Sequence, residues 1–520
     1  MSALPGPTAT ITPILPAARG WPLHDVAASR ALEQAALASQ PAHALMQRAG
    51  LAVARLALAI APHARRVWVA AGPGNNGGDG LVAALHLQRW GLQVQVSLLG
   101  EAQSLPADAA DAWQQARAAG VPISTDLPAQ LDAELCIDAL LGLGATREPA
   151  GLLAAAIQRL NTQRAPVLAV DLPSGLCANT GRPLGAAAVQ AQHTLSLLTL
   201  KPGLFTGAGR DHAGRVWLAT LGIDGAGQPA SAWLGGMPPT LPRRHSQHKG
   251  SFGDVIVLGG AAGMGGAALL AARAALTAGA GRVWVARLAG DALAVDAARP
   301  ELMPREPADL LQPDTLARAT VVCGCGGGAP VQAVLPAVLA HAGRLVLDAD
   351  ALNAMAADAG LAAALIARQQ PTVLTPHPLE AARLLGCSAA QVQADRLASA
   401  MQLAERLRAV LVLKGSGSVL AAPGRPPSIN PTGNARLGTA GSGDVLAGWL
   451  GGLWSQGDSA SLDDALAAAR AAVWWHGRAA ETGPPHLPLR AGDLIEAMAA
   501  AVSAAAPAAK HSEQGGRASG

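Results

Sequence analysis

The chain has 520 residues, more than one hydrophobic core covers at roughly 100–200 residues per domain, so two or three domains are expected and a lone small binding module is excluded. Lys plus Arg number 38 against 35 Asp plus Glu, and a formal charge of +3 on so long a chain excludes a general polyanion binder. With 50% apolar, 14% charged and 2% aromatic residues, wholesale disorder and base-stacking surfaces are excluded too, and the interior is expected to be Ala, Leu and Val.

The N-terminus carries no Lys or Arg before Arg19 and is studded with proline, so no signal or transit peptide is expected. The long uncharged runs Met1–Ala18, Pro183–Leu200 and Ala319–Gly343 are broken by Pro, Gly or Gln, and no membrane span is expected. The cysteines Cys136, Cys177, Cys323, Cys325 and Cys387 are too sparse for a disulfide framework and fit a reducing cytoplasm. Cys323 and Cys325 lack the further ligands of a soft-metal site.

In the first half, short Val/Leu/Ile runs alternate with Ala/Leu stretches, the pattern of βα units on a largely parallel sheet. Val67–Ala71 reads as a strand, followed by a glycine loop and a helix over Leu81–Trp90. Gly72, Gly74 and Gly77 in the loop let backbone N–H groups approach an anion. Asn75, Asn76 and Asp79 add two amides and a carboxylate. Three later strand ends also carry polar groups: Asp138 before Gly142-Leu143-Gly144, Asp171 before Ser174, and Lys201 after Thr199. Ligands of open α/β sheets sit beyond the carboxyl ends of the strands, so these residues are expected to converge on Asn75–Asp79. A buried Asp beside a Lys can exchange protons; in the alternative reading Asp171 caps Ser174-Gly175 and Lys201 is a solvated loop residue.

Between Ile223 and Lys249 the composition turns to Gly, Pro, Ser and Gln, as in a linker, and the polar, Gly-rich tail 506–520 is expected to be disordered. The second half opens with Val255–Leu258, a glycine loop and a helix from Ala267. Asp348, Asp350 and Asn353 follow the next clear strand; they bind Mg2+ with phosphates or cap the following helix, and both readings stay open. His377 sits stiffly between two prolines, aimed at a ligand or satisfied in the core. Lys414-Gly415-Ser416-Gly417-Ser418 ends a strand as a glycine loop with a lysine for phosphates. Gly441-Ser442-Gly443-Asp444 sets an anion hole and a carboxylate at a helix start, the pairing that phosphoryl transfer needs.

The four motifs at Gly74–Ala84, Asp138–Gly144, Asp171–Gly175 and Leu200–Leu204 together resemble the NAD(P)H-hydrate epimerase domain. The resemblance implies that Asn75, Asn76, Gly77, Gly78, Asp79, Gly142, Leu143, Gly144 and Asp171 meet the hydrated nucleotide. It implies a K+ held by Asn76, Asp138 and Ser174, with Asp171 and Lys201 as the proton-handling pair. Leu143 stands where that family usually has threonine.

Lys249–Gly253, Arg299–Met303, Asp348–Asn353, Thr375–Pro378 and Gly441–Asp444 resemble the ADP-dependent NAD(P)H-hydrate dehydratase domain, of ribokinase-like fold. That resemblance implies the hydrate near Ala267, Gly326, His377 and Asp444, with ADP at Lys414, Gly415, Ser416, Gly417, Ser418 and Gly443. Cys325, Gly327, Leu379 and Ala440 depart from its loops.

The expected fold is α/β: a Rossmann-like three-layer domain over 20–228, a linker at 229–242 and a ribokinase-like domain over 243–505. The expected activity is twofold, interconversion of the R and S hydrates and ADP-dependent dehydration of the S form, with Asp444 as base. Small molecules are the expected partners, without nucleic acid or membrane, in a cytoplasmic homo-oligomer. The alternatives are a ribokinase-like vitamin or sugar kinase with an accessory nucleotide-binding domain, or an N-terminal domain acting as a ligand sensor.

Overall fold

The computed structural model describes residues 10–223, 227–240, 243–290, 294–457, 459–484 and 486–505; the expected disordered tail and residues 241 and 242 of the expected linker lie outside them. The described residues form two compact units, neither continuous in sequence. The first joins the chain up to Met237 with Leu347–Pro431 and Ala460–Arg470, and the second joins Pro238–Val346 with Thr432–Ser459 and the chain from Ala471.

The first unit contains a sheet ordered Ile11–Pro13, Arg215–Ala219, His193–Leu197, Val167–Val170, Leu135–Ala139, Arg66–Ala71, Gln93–Leu98, Ile123–Ser124. Only the Ile11–Pro13 edge is antiparallel. Its central strands are buried on both faces, which is why they read as continuous apolar runs. Val67, Val69 and Ala71 enter one core cluster with Ala109, Ala112 and Ala116, whereas Trp68 and Ala70 enter another with Ala156, Ile157 and Leu160. The period of two thus sends alternate side chains to helices on opposite faces, giving three layers.

The helix expected from Leu81 begins at Asn75 and runs to Arg89. Gly77 and Gly78 are therefore helical, and they are glycine because backbone presses on them. A Cβ on Gly77 would stand 1.9 Å from Gly72 O, and one on Gly78 2.9 Å from Ala109 Cα as well as against the Met46 methyl. Helix Ala44–Ile60 crosses this helix at Gly50, where a Cβ would meet that of Val82 at 2.4 Å.

The first unit also holds the strands Thr372–Leu374, Val410–Leu413, Val419–Ala421 and Ser428–Ile429, extended by Ala232–Leu234 and then Trp21–Leu23. Part of the expected linker is thus a sheet strand, and residues 21–23 pair away from the sheet of the domain expected over 20–228. The cause is apolar burial: Leu23, Ala232 and Leu234 share one core cluster with Leu204 and Ile429.

In the second unit, Met303–Pro304, Arg282–Arg287, Asp254–Gly259 and Thr320–Cys323 are parallel neighbours in that order. Helix Gly265–Thr277 packs against helix Ser442–Ser455 with backbones nearly touching. A Cβ at Gly448 would lie 2.0 Å from Ala271 O, and one at Gly452 2.3 Å from Ala275 O. This spacing of four, one face of a helix, holds the Asp444 end of Ser442–Ser455 beside the start of Gly265–Thr277. Among the described residues no single helix is long and apolar enough to cross a membrane, and none of the five cysteines forms a disulfide.

Candidate active sites

The carboxyl ends of the central strands in the eight-stranded sheet open into a cavity of about 810 Å³. Asn75, Asn76, Asp79, Gly142, Leu143, Gly144, Asp171 and Lys201 all line it, so the polar strand ends meet the glycine loop. Gly77 and Gly78 turn inward and do not. Lys201 is 2% exposed and its ammonium is paired with the Asp171 carboxylate. The same Nζ donates to Leu197 O at 2.8 Å and Thr199 O at 3.0 Å, so the ammonium at the tip of the side chain is held by the neighbouring strand end. Asp171 has a left-handed backbone, φ 66°, uncommon for a residue with a Cβ, and such strain concentrates at working sites. The solvated-lysine alternative is set aside by this burial.

Carboxyl groups outnumber cations deep in the cavity. Burial, with Asp171 and Glu33 beside it, pushes Asp79 well above the usual carboxylate range. Burial and then Asp171 push Glu33 up as well. Glu33 carries no motif signal; it reaches the cavity with Ser29 and Leu37 because a spacing of four puts them on one face of helix Val26–Ser39.

Asp138 is fully buried beneath the cavity, where Ser174 N–H donates to Oδ2 at 2.8 Å and Ser174 Oγ to Oδ1 at 2.6 Å. Burial still pushes its carboxyl up to about 6, because these are neutral donors. Asn76 is buried, and its side-chain oxygen and nitrogen find no hydrogen-bond partner among the described residues. An orphaned amide oxygen, a hydroxyl and an uncompensated carboxylate make a set of hard oxygen donors that fits a monovalent cation.

In the 347–431 part of the first unit, Asp348 Oδ1 accepts from Lys414 Nζ at 2.7 Å and from Thr375 Oγ1 at 2.8 Å. Asn353 Oδ1 accepts from Arg383 at 2.6 Å. These bonds tie both side chains to basic partners. His377 is the N-cap of helix Pro378–Leu385: its Nδ1 accepts from the N–H groups of Leu379 and Glu380, and its Nε2 is 3.2 Å from Glu380 Oε1. That network places the proton of the neutral ring on Nε2. Burial, with Lys414 nearby, pulls the ring below its ordinary value. The Lys414–Ser418 loop follows strand Val410–Leu413, with Ser416 Oγ donating to Gly207 O at 2.9 Å and Ser418 Oγ to Gly415 O at 3.2 Å.

In the second unit, Gly441 caps helix Ser442–Ser455 in the left-handed region, φ 87°, and Gly443 and Asp444 lie in its first turn, at the positive end of the helix dipole. Gly326, φ 57°, is pressed against Ala267: a Cβ there would stand 2.8 Å from the Ala267 methyl.

Comparison with known proteins matches two family models in tandem. Residues 42–203 match the YjeF-related protein N-terminus, and residues 255–487 match the NAD(P)H-hydrate dehydratase model. The bifunctional NAD(P)H-hydrate repair enzyme Nnr of Escherichia coli (strain K12) is 37% identical over 435 residues, 79% of this chain and 80% of that one. The chain belongs to the bifunctional NAD(P)H-hydrate repair enzyme family. The enzyme of the same description from Moorella thermoacetica is 38% identical over 502 residues, covering 88% of this chain and 91% of its own. Among solved structures, an ADP/ATP-dependent NAD(P)H-hydrate dehydratase from Bacillus subtilis, co-crystallized with ATP and Mg2+, is 29% identical, with TM-score 0.41, 51% of this chain and 94% of that chain covered.

Within this family's repair chain, two buried residues had no sequence signal. Arg396 and Thr206 each sit among ordinary helix or loop residues in the sequence, and only the packing between distant segments shows that they meet.

Proposed function

We propose that the chain repairs hydrated NADH and NADPH: residues 20–228 interconvert the R and S hydrates, and residues 243–505 dehydrate the S form with ADP, giving AMP and phosphate. The carrying observation is the buried Asp171–Lys201 pair, set into a cavity of about 810 Å³ lined by Asn75, Asn76 and Asp79. Inverting a carbon that bears a hydroxyl requires a bond there to break and re-form on the other face. An acid and a base in direct contact move the proton that this needs, and their burial keeps bulk water out of the exchange. Asn76 Oδ1, Asp138 and Ser174 would hold K+, which supplies a fixed positive charge beneath the polar loop.

For dehydration, water is a poor leaving group and phosphate a good one. The ring hydroxyl attacks the β-phosphorus of ADP, AMP departs, and Asp444 takes the hydroxyl proton while Gly441–Gly443 N–H groups stabilise the transferring phosphoryl. Phosphate then leaves with the C–O electron pair as the neighbouring carbon loses a proton, restoring the ring double bond. Lys414, Gly415, Ser416, Gly417, Ser418 and Gly443 are the proposed ADP contacts, with Ala267, Gly326 and His377 on the hydrate side. Asp348 orients Lys414. Mg2+ would arrive on the nucleotide phosphates.

A cytoplasmic setting agrees with five cysteines outside any disulfide. A homo-oligomer is part of the same reading. Enzymatically hydrated NADH incubated with the protein and ADP tests it: absorbance of the reduced nicotinamide ring returns and AMP accumulates. Phosphorylation of a vitamin precursor without that return would replace this reading with the kinase alternative.

A further inference from the structure

Thr206 and Gly207 follow the Lys201 turn in the first half of the sequence, yet they are bonded to the loop proposed for ADP. Gly207 N–H donates to Ser416 O at 3.0 Å, and Ser416 Oγ returns a bond to Gly207 O at 2.9 Å. Thr206 Oγ1 donates to Gly417 O at 3.3 Å and accepts from Arg396 Nε at 3.2 Å. Both functions of one hydroxyl are thereby used.

Arg396 is 1% exposed. Besides Thr206, its guanidinium donates to Gln393 Oε1 at 2.6 Å and to Leu413 O and Lys414 O, each at 3.2 Å. All four acceptors are neutral. A buried guanidinium is ordinarily matched by a carboxylate, and one held only by neutral oxygens leaves positive charge uncompensated in a dry interior. That charge lies against the glycine loop: a Cβ at Gly415, φ 138°, would stand 2.9 Å from Arg396 Nη1. On the loop's other side a Cβ at Gly417 would stand 2.0 Å from Phe205 O. The loop is glycine-rich because it is clamped between Arg396 and the Phe205–Gly207 turn.

We propose that Arg396 and Thr206 are positioning residues of the nucleotide site: Arg396 shapes the Lys414–Ser418 loop and sets positive charge behind it, and Thr206 locks that guanidinium in place from the epimerase half. This rests on the reading that the loop holds ADP. A polyphosphate on the loop supplies the missing negative charge. The epimerase half therefore completes the ADP site of the dehydratase half.

Thr206→Val removes the hydroxyl and keeps the shape; Thr206→Ser keeps the hydroxyl. In the full chain, Thr206→Val raises the KM for ADP about tenfold, as expected for loss of a hydrogen bond to a charged group, while kcat at saturating ADP and the KM for the hydrate stay within about twofold. Thr206→Ser restores the ADP value. A KM for ADP unchanged in Thr206→Val, or a rise shared equally by both substrates, overturns the clamp. Calorimetric titration with ADP separates this from failure of the underlying reading. Wild type that binds no ADP refutes the loop assignment and the clamp together, whereas wild type and Thr206→Val binding ADP equally refutes the clamp alone. Arg396→Lys, which keeps the charge and loses the fork, is expected to weaken ADP binding in the same titration; unchanged affinity overturns the role of the fork.

Discussion

Two glycine-rich segments of the first unit each follow a strand and solve opposite electrostatic problems. Around Asn75–Asp79 the buried Asp79, Asp138 and Asp171 and the half-buried Glu33 are all acids, answered by the ammonium of Lys201. Around Lys414–Ser418 a cation is buried instead, and among the described residues the Arg396 guanidinium meets neutral partners. The first arrangement suits protons and cations, the second a polyphosphate. Burial makes each imbalance matter, because in low dielectric an unanswered charge is expensive.

Breaking that contrast at its strongest points should give the largest effects. Lys201→Ala is expected to slow R-to-S epimerisation by about a hundred- to ten-thousand-fold, followed by hydrate stereochemistry over time. The change also leaves Asp171 buried without its cation, at a cost of about 3–5 kcal/mol, so the double change with Asp171→Asn separates lost chemistry from lost stability. An unchanged rate removes Lys201 from the mechanism. Asp444→Asn is expected to depress ADP-dependent dehydration over the same range, read as AMP release, and an unaltered rate would reassign the base.

Smaller changes sharpen the contrast. Gly417→Ala forces a Cβ onto the Phe205 carbonyl in a left-handed backbone, and should lower the melting temperature and weaken ADP binding together. Asp79 supplies a pH test. Its folded pKa lies above the unfolded one, so its contribution to stability is complete below the unfolded carboxylate range and is lost as pH rises through the folded value. Asp79→Asn should therefore melt higher than wild type near neutral pH, with the difference vanishing below about pH 4; parallel melting curves at every pH would show that ionising Asp79 costs nothing. The smallest effect concerns K+. Its exchange for a bulky organic cation should lower the melting temperature of wild type and not of Asn76→Ala, and equal responses would free Asn76 from that role.

Much of the first site was legible because strand-end loops are local objects. Asn75, Asp79, Gly142, Asp171 and Lys201 carry donors and acceptors just beyond apolar runs, and parallel sheets bring such ends together whatever fills the rest of the core. Less legible was the direction in which each residue faces. Gly77 and Gly78 sit in the same motif as Asn76 yet press against Gly72 and Met46, a distinction set by the tight strand-to-helix turn and by the packing of a neighbouring helix. His377 likewise reads as a stiff, aimed residue, whereas its ring closes a helix end that Glu380 completes.

By itself the order of residues determined the two α/β folding patterns, the strand-end chemistry and the family, since each depends on neighbours within a few turns of chain. Tertiary structure alone decided that Trp21–Leu23 and Ala232–Leu234 extend the sheet of Thr372–Ile429, that Glu33 reaches the proton-handling cavity, and that Thr206 meets Arg396 across 190 residues of sequence. The reason is physical: burial of apolar surface is non-directional and acts between any segments that can cover one another, so distant partners are chosen by shape and area and leave no local spacing to read.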